Sequence, residues 1–144
     1  MKKIFFIILF LIFHLSFNAI GKENFFDEAK NKYDKQQIED SKFLFQRNIV
    51  FNPKDAKSYL YLAKIYNLEE NEKEELKNLE TTLLLDPKNE EAMYMLIQIE
   101  LKKSNFSEVK DLTKKFNSIC LKFCKKIKDI EQKLKDAQAK EASN

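Results

Sequence analysis

Asn52-Pro53-Lys54 returns 34 residues later as Asp86-Pro87-Lys88. Other helix-start signals keep the same distance. Asp55 and Asn89 stand 34 apart, each placed to cap the helix that follows, and Asn71-x-x-Glu74 repeats at that spacing as Asn105-x-x-Glu108. The last two have the form of a capping box: a side-chain oxygen accepts a free helix N–H, and a carboxylate three residues on lies near the positive helix end. A fixed period of this size constrains the fold more than any other feature of the chain. A unit of about 34 residues is one helical hairpin, which cannot bury an apolar face alone and must stack on its neighbours.

Between these signals the apolar spacing is helical. Tyr59, Leu62, Ala63 and Tyr66 fall on one face, and Leu76, Leu79, Leu83 and Leu84 on the next helix. The following unit offers Met93, Leu96 and Ile97, then Phe106, Val109, Leu112 and Phe116. A weaker unit precedes Pro53, with Phe25, Phe26, Ala29 and Tyr33 on one helix and Ile38, Phe43, Phe45 and Ile49 on the other. No stretch alternates β-branched and polar residues, so strands are not expected. With 34% charged and 44% hydrophobic residues the chain suits a folded helical protein better than a disordered one.

These positions resemble the tetratricopeptide repeat over roughly residues 22–120. The unit from Ala56 to Pro87 carries the resemblance. Tyr59 takes the family's first aromatic position, Leu62-Ala63 its Leu–small pair and Tyr66 its next aromatic. Leu79, Thr82 and Leu85-Asp86-Pro87 match the second helix and closing turn. In the next unit Leu96, Phe106 and Val109 match, while Ile97 replaces the small residue and Glu100 the aromatic. Glu70 stands where the family prefers Gly, and Glu75 where it prefers Ala. The resemblance implies an all-α, right-handed stack of about three antiparallel hairpins, at 22–53, 54–87 and 88–118, the first displaced by one residue from the period. It also implies a groove lined by the first helices. Carried over by position, that groove would present Lys57, Leu60, Lys64 and Asn67, then Glu91, Tyr94, Gln98 and Leu101, to a peptide or helix of another protein. The Lys/Asn pattern with which some family members grip a C-terminal carboxylate is not reproduced.

From Asn105 to the end there is neither Gly nor Pro. Val109, Thr113, Phe116, Cys120, Phe123, Ile127, Ile130, Leu134 and Ala137 recur alternately four and three apart, a narrow seam of coiled-coil type. Because the seam keeps its phase across Asn117-Ser118, one continuous or merely kinked helix is expected. Its C-terminal part, residues 119–144 with the polar tail, would cap the exposed end of the stack. Alternatively Phe123, Ile127, Ile130 and Leu134 would pair with a partner helix or a second copy. Cys120 and Cys124 are i,i+4 neighbours on such a helix, with Cβ atoms about 5–6 Å apart, whereas a disulfide wants about 3.8 Å. Two small buried hydrophobes are therefore expected there, with a disulfide as the alternative if the chain is exported.

Lys2 and Lys3 precede an apolar run from Ile4 to Phe13, and Ala19 and Gly21 place small residues behind it. This is the pattern of a secretory signal peptide over residues 1–21. The run is short for a span of about 20 residues, so cleavage is expected, an uncleaved outward-facing anchor being the alternative. Export would place the chain in the periplasm or outside the cell. Losing Lys2 and Lys3 takes the formal charge from +3 to +1, which removes the case for nucleic acid. The charge is uneven, from −7 over residues 69–100 to +6 over residues 110–140, and a basic C-terminal helix could meet an acidic partner or anionic lipid.

Catalysis is not expected. The one His, His14, and the one Gly, Gly21, lie in the segment to be removed, leaving no phosphate-cradling loop and no imidazole base or metal ligand. Acidic pairs such as Glu69-Glu70 and Glu74-Glu75 sit in polar runs where no raised pKa is expected. Neither a cofactor nor a metal is expected, since two thiols alone do not make a structural zinc site.

Overall fold

The computed structural model describes residues 25–143; the expected signal peptide lies outside the described residues. Seven helices follow one another: α1 (Phe26–Asp34), α2 (Ile38–Phe51), α3 (Ala56–Leu68), α4 (Glu72–Leu85), α5 (Glu90–Lys102), α6 (Phe106–Ile119) and α7 (Lys126–Ala142). There is no strand among the described residues. α1–α2, α3–α4 and α5–α6 form three stacked hairpins, as a tetratricopeptide-like array requires.

The 34-residue period is kept by the backbone. First helices end at Asp34, Leu68 and Lys102; second helices begin at Ile38, Glu72 and Phe106. The opening hairpin is therefore in step with the others, not displaced by one residue. The turns supply the reason. Gln36, Glu70 and Ser104 take φ of 62°, 56° and 57°. The next N–H in each case, from Gln37, Asn71 and Asn105, donates to the carbonyl of Lys32, Tyr66 or Glu100 at 2.9, 2.9 and 3.0 Å. This is the left-handed closure that ends a helix by satisfying its free carbonyls.

Two of the four expected caps form. Asn71 Oδ1 accepts from Glu74 N at 3.3 Å and Asn89 Oδ1 from Ala92 N at 3.0 Å. Asp55 and Asn105 do not cap, because other groups engage them. The Asp55 carboxylate accepts from Ser58 Oγ at 2.7 Å and Asn48 Nδ2 at 2.8 Å, and Asn105 Nδ2 donates to Glu100.

Ala29, Ala63 and Ile97 form one fully buried column, 34 residues apart, where first helices meet their neighbours. Small side chains let helices approach to about 8–10 Å. Phe45 and Leu79 fill the matching place on the second helices. Phe43 and Leu84, expected on inward faces, are 62% and 81% exposed. Phe45 with Asn48, and Leu79 with Thr82, already set the inward faces of α2 and α4.

The C-terminal region departs most from expectation. α6 stops at Ile119, Cys120 turns extended (φ −65°, ψ 138°), and α7 starts only at Lys126. Cys120 and Cys124 are joined by a disulfide, with Cα atoms 5.2 Å apart. So the helix is not continuous, and the cysteines are not two buried thiols. One fact explains the other, because a helix holds i,i+4 Cβ atoms about 5–6 Å apart and a disulfide wants about 3.8 Å. After the break α7 packs on α5 and α6. Ile130, fully buried, joins the core of Ile97, Val109, Leu112 and Phe116, and Phe123, Ile127 and Leu134 pack around it. Ile130 is thus interior and the other three seam residues are half-buried against the stack, which the helix caps.

Candidate partner-binding groove

α1, α3 and α5 share one face of the stack, and the eight residues expected to line a groove divide three ways. Lys57, Lys64, Asn67 and Glu91 remain accessible. Leu60 does not: at 7% exposure it packs with Ala63, Leu79, Ala92 and Ile99. The helical turn that brings Lys57 and Lys64 to the surface points Leu60 at the neighbouring hairpin. Tyr94, Gln98 and Leu101 lie under α7. Tyr94 Oη donates to Asp129 at 3.4 Å, Lys133 Nζ donates to Gln98 Oε1 at 3.1 Å, and Leu101 joins the core that Ile130 fills.

The accessible part is built on aromatic rings. Tyr61 stacks on Phe45 with ring centres 4.9 Å apart and meets Tyr33 and Phe26 edge-on at 5.2 and 5.7 Å. Two lysines lie over this cluster. Lys57 Nζ is 5.9 Å from the Phe26 ring, and Lys64 Nζ is 4.9 Å from Tyr61 and 5.6 Å from Tyr33. Such cation–ring pairs contribute about 0.5–1 kcal/mol where exposed. Burial lowers the pKa of Lys64, but the hydrogen bond and charge of Glu91, 2.9 Å away, more than offset this and leave it raised. Sequence reasoning passed over Tyr61. Its spacing to Lys57 and Lys64, four and three residues, puts all three on one helical face and would have revealed it.

Asn67 Nδ2 donates to Glu75 Oε1 at 3.0 Å. Glu75 is 4% exposed, and burial raises its pKa. The expectation that nothing would perturb this carboxylate was wrong, because Glu75 faces the inside of its hairpin and not the polar run around it. Glu90 shows the opposite case. Its Oε2 accepts the backbone N–H of Phe123 at 2.8 Å and of Lys122 at 2.9 Å, and these bonds, Phe123's first, lower its pKa. Glu90 thereby fastens the 120–125 loop to the start of α5.

No protein-family model matches the chain. No curated protein matches it. Solved structures do. The type III secretion chaperone SycD of Yersinia enterocolitica, in complex with a peptide of the translocator YopD, is 16% identical with a TM-score of 0.68, over 81% of this chain and 92% of that one. PcrH in complex with the chaperone-binding region of PopD is 12% identical with a TM-score of 0.66, over 81% and 90%. The Sgt2 TPR domain from Aspergillus fumigatus is 13% identical with a TM-score of 0.66, over 80% of each chain. The chain thus shares an all-helical, tetratricopeptide-like fold with these proteins.

Proposed function

We propose that this protein is a non-catalytic protein–protein interaction module, an adaptor or scaffold, which takes a peptide or helix of another protein on the face of α1, α3 and α5. One observation carries the reading. The lysine-over-aromatic ledge of Lys57, Lys64, Phe26, Tyr33 and Tyr61 stays open beside Asn67 and Glu91, while α7 closes the rest of the face. Rigid rings give contact area at low entropic cost, and Lys57 favours an acidic side chain in the bound segment, Lys64 being paired with Glu91. The solved complexes of SycD with a YopD peptide and of PcrH with a PopD region support peptide binding by analogy of fold.

The protein works in the cell envelope or outside the cell. The basic-then-apolar N-terminus supports this, as does a disulfide, which persists in oxidising compartments. No helix among the described residues is long and apolar enough to cross a membrane, so anchoring would fall to the N-terminal segment. Pairing through the C-terminal seam is the weaker reading, since Ile130 is already fully buried.

A photo-crosslinking residue at position 67 should capture a partner that the same residue at position 84, on the far side, does not. Lys57→Glu should weaken binding of that partner about tenfold, the size of one charge-assisted contact, while the thermal midpoint falls by no more than a few degrees, the share of the Lys57–Phe26 pair. Undiminished binding by Lys57→Glu, or capture only from position 84, would overturn the reading.

A further inference from the structure

The geometry points to Cys120–Cys124 as a site of reversible exchange with a dithiol, whose oxidised state clasps α7 over the end of the stack and whose reduced state releases it. Nothing else in the local sequence breaks the helix there. From Phe106 to Lys140 there is no Gly or Pro, and the seam keeps its four–three spacing through Cys120 and Phe123. The bridge and an unbroken helix oppose each other: a helix would hold the two Cβ atoms about 5–6 Å apart and a disulfide wants about 3.8 Å, and the bridged Cα atoms lie 5.2 Å apart. Only the broken form lets α7 fold back, seating Ile130 in the core and Asp129 and Lys133 on Tyr94 and Gln98. The loop is also held by the Glu90 carboxylate on the N–H groups of Lys122 and Phe123, and by the Phe123 ring packed beside Tyr94.

The site is open to a reductant. Cys124 is exposed, and its neighbour in the loop, Leu121, is 88% exposed. Lys122, Lys125 and Lys126 flank the cysteines, and Cys124 stands just ahead of α7, its backbone carbonyl accepting from Ile127 N at 3.1 Å. Nearby lysines and a helix start both favour the thiolate. A thiolate of the dithiol attacks Cys124 Sγ. The S–S bond breaks and Cys120 leaves as the thiolate, which takes up a proton. The second thiol of the reagent then closes on its own mixed disulfide and frees Cys124. Two electrons and two protons pass to the protein, and the reagent ends as a disulfide. With the clasp gone, α6 and α7 can join along the unbroken seam, and Tyr94, Gln98 and Leu101 return to the open face. The exchange itself does not depend on what that face binds.

The test is amide exchange of the full chain before and after dithiothreitol. Reduction should speed exchange in residues 126–140 about 30-fold, the loop-closure contribution of a bridge over so short a span, and should leave residues 38–85 unchanged. The Cys120→Ser, Cys124→Ser double variant should match the reduced protein and ignore the reagent. Unchanged exchange in α7 after complete reduction, verified by intact mass, would overturn the proposal. So would free thiols on both cysteines in air-oxidised protein.

Discussion

Glu70 shows what a single residue costs when the fold dictates its backbone. It sits at φ 56°, between Gln36 at 62° and Ser104 at 57°, in the left-handed region that only Gly enters freely. Glu70→Gly should raise unfolding stability by about 0.5–1 kcal/mol, less than the full strain because Gly also loosens the unfolded chain; urea denaturation checks this. Glu75 is costly for a different reason. Unfolded, it gives up its proton near the ordinary 4.5, and buried it does so at higher pH. The folded protein therefore binds more protons across that window and loses stability as pH rises through it. Glu75→Gln should be more stable than the parent at pH 7, and the advantage should vanish once pH falls below the ordinary value. Thermal midpoints measured from pH 7 to pH 4 decide this.

α7 takes the place on the stack that the first helix of a fourth unit would take. Its anchor is Ile130, fully buried in the core of Ile97 and Phe116. Ile130→Ala should cost about 2–5 kcal/mol, read as faster amide exchange in α7 and a lower midpoint for the α5–α6 hairpin. Glu90 holds the other end of the element. Bonding to the Lys122 and Phe123 amides depresses its pKa, so its contribution is present above the ordinary carboxylate value and lost as pH falls through the lower, folded value. Glu90→Gln should accelerate exchange at these two amides at neutral pH.

Across the whole molecule, each unit leans mainly on its neighbours, as stacked repeats do. α7 packs on α5 and α6. Ending the chain after Lys126 would uncover Met93, Ile97 and Phe116. That truncation should loosen α5 and α6 while α1–α4 keep their protection, an outcome hydrogen exchange resolves hairpin by hairpin. Hence truncation cannot distinguish a groove from a seam, since it damages the structure that supports both. Leu60→Asp would likewise disrupt the core and say little about partners.

The period, the helix class and the stacking were legible in the residues themselves. Pro53 and Pro87, the helix-start signals and the apolar spacing are local, and local sequence sets where helices begin and which face is apolar. The groove was half legible. Spacing places Lys57, Lys64 and Glu91 on an outer face, but whether Leu60 or Tyr94 is open depends on what packs against them. Burial of Glu75 and the turning of Asp55 and Asn105 away from their caps depend on polar side chains that the adjoining helix brings beside them, Asn67, Asn48 and Glu100, and the exposure of Leu84 on which face its hairpin buries. The C-terminal break is the clearest case. Helical spacing alone runs on through Cys120 and Phe123, whereas in the tertiary structure the helix ends where the Cys120–Cys124 bridge forms and Ile130 is buried in the core of Ile97 and Phe116, burial and a covalent tie that local spacing does not encode.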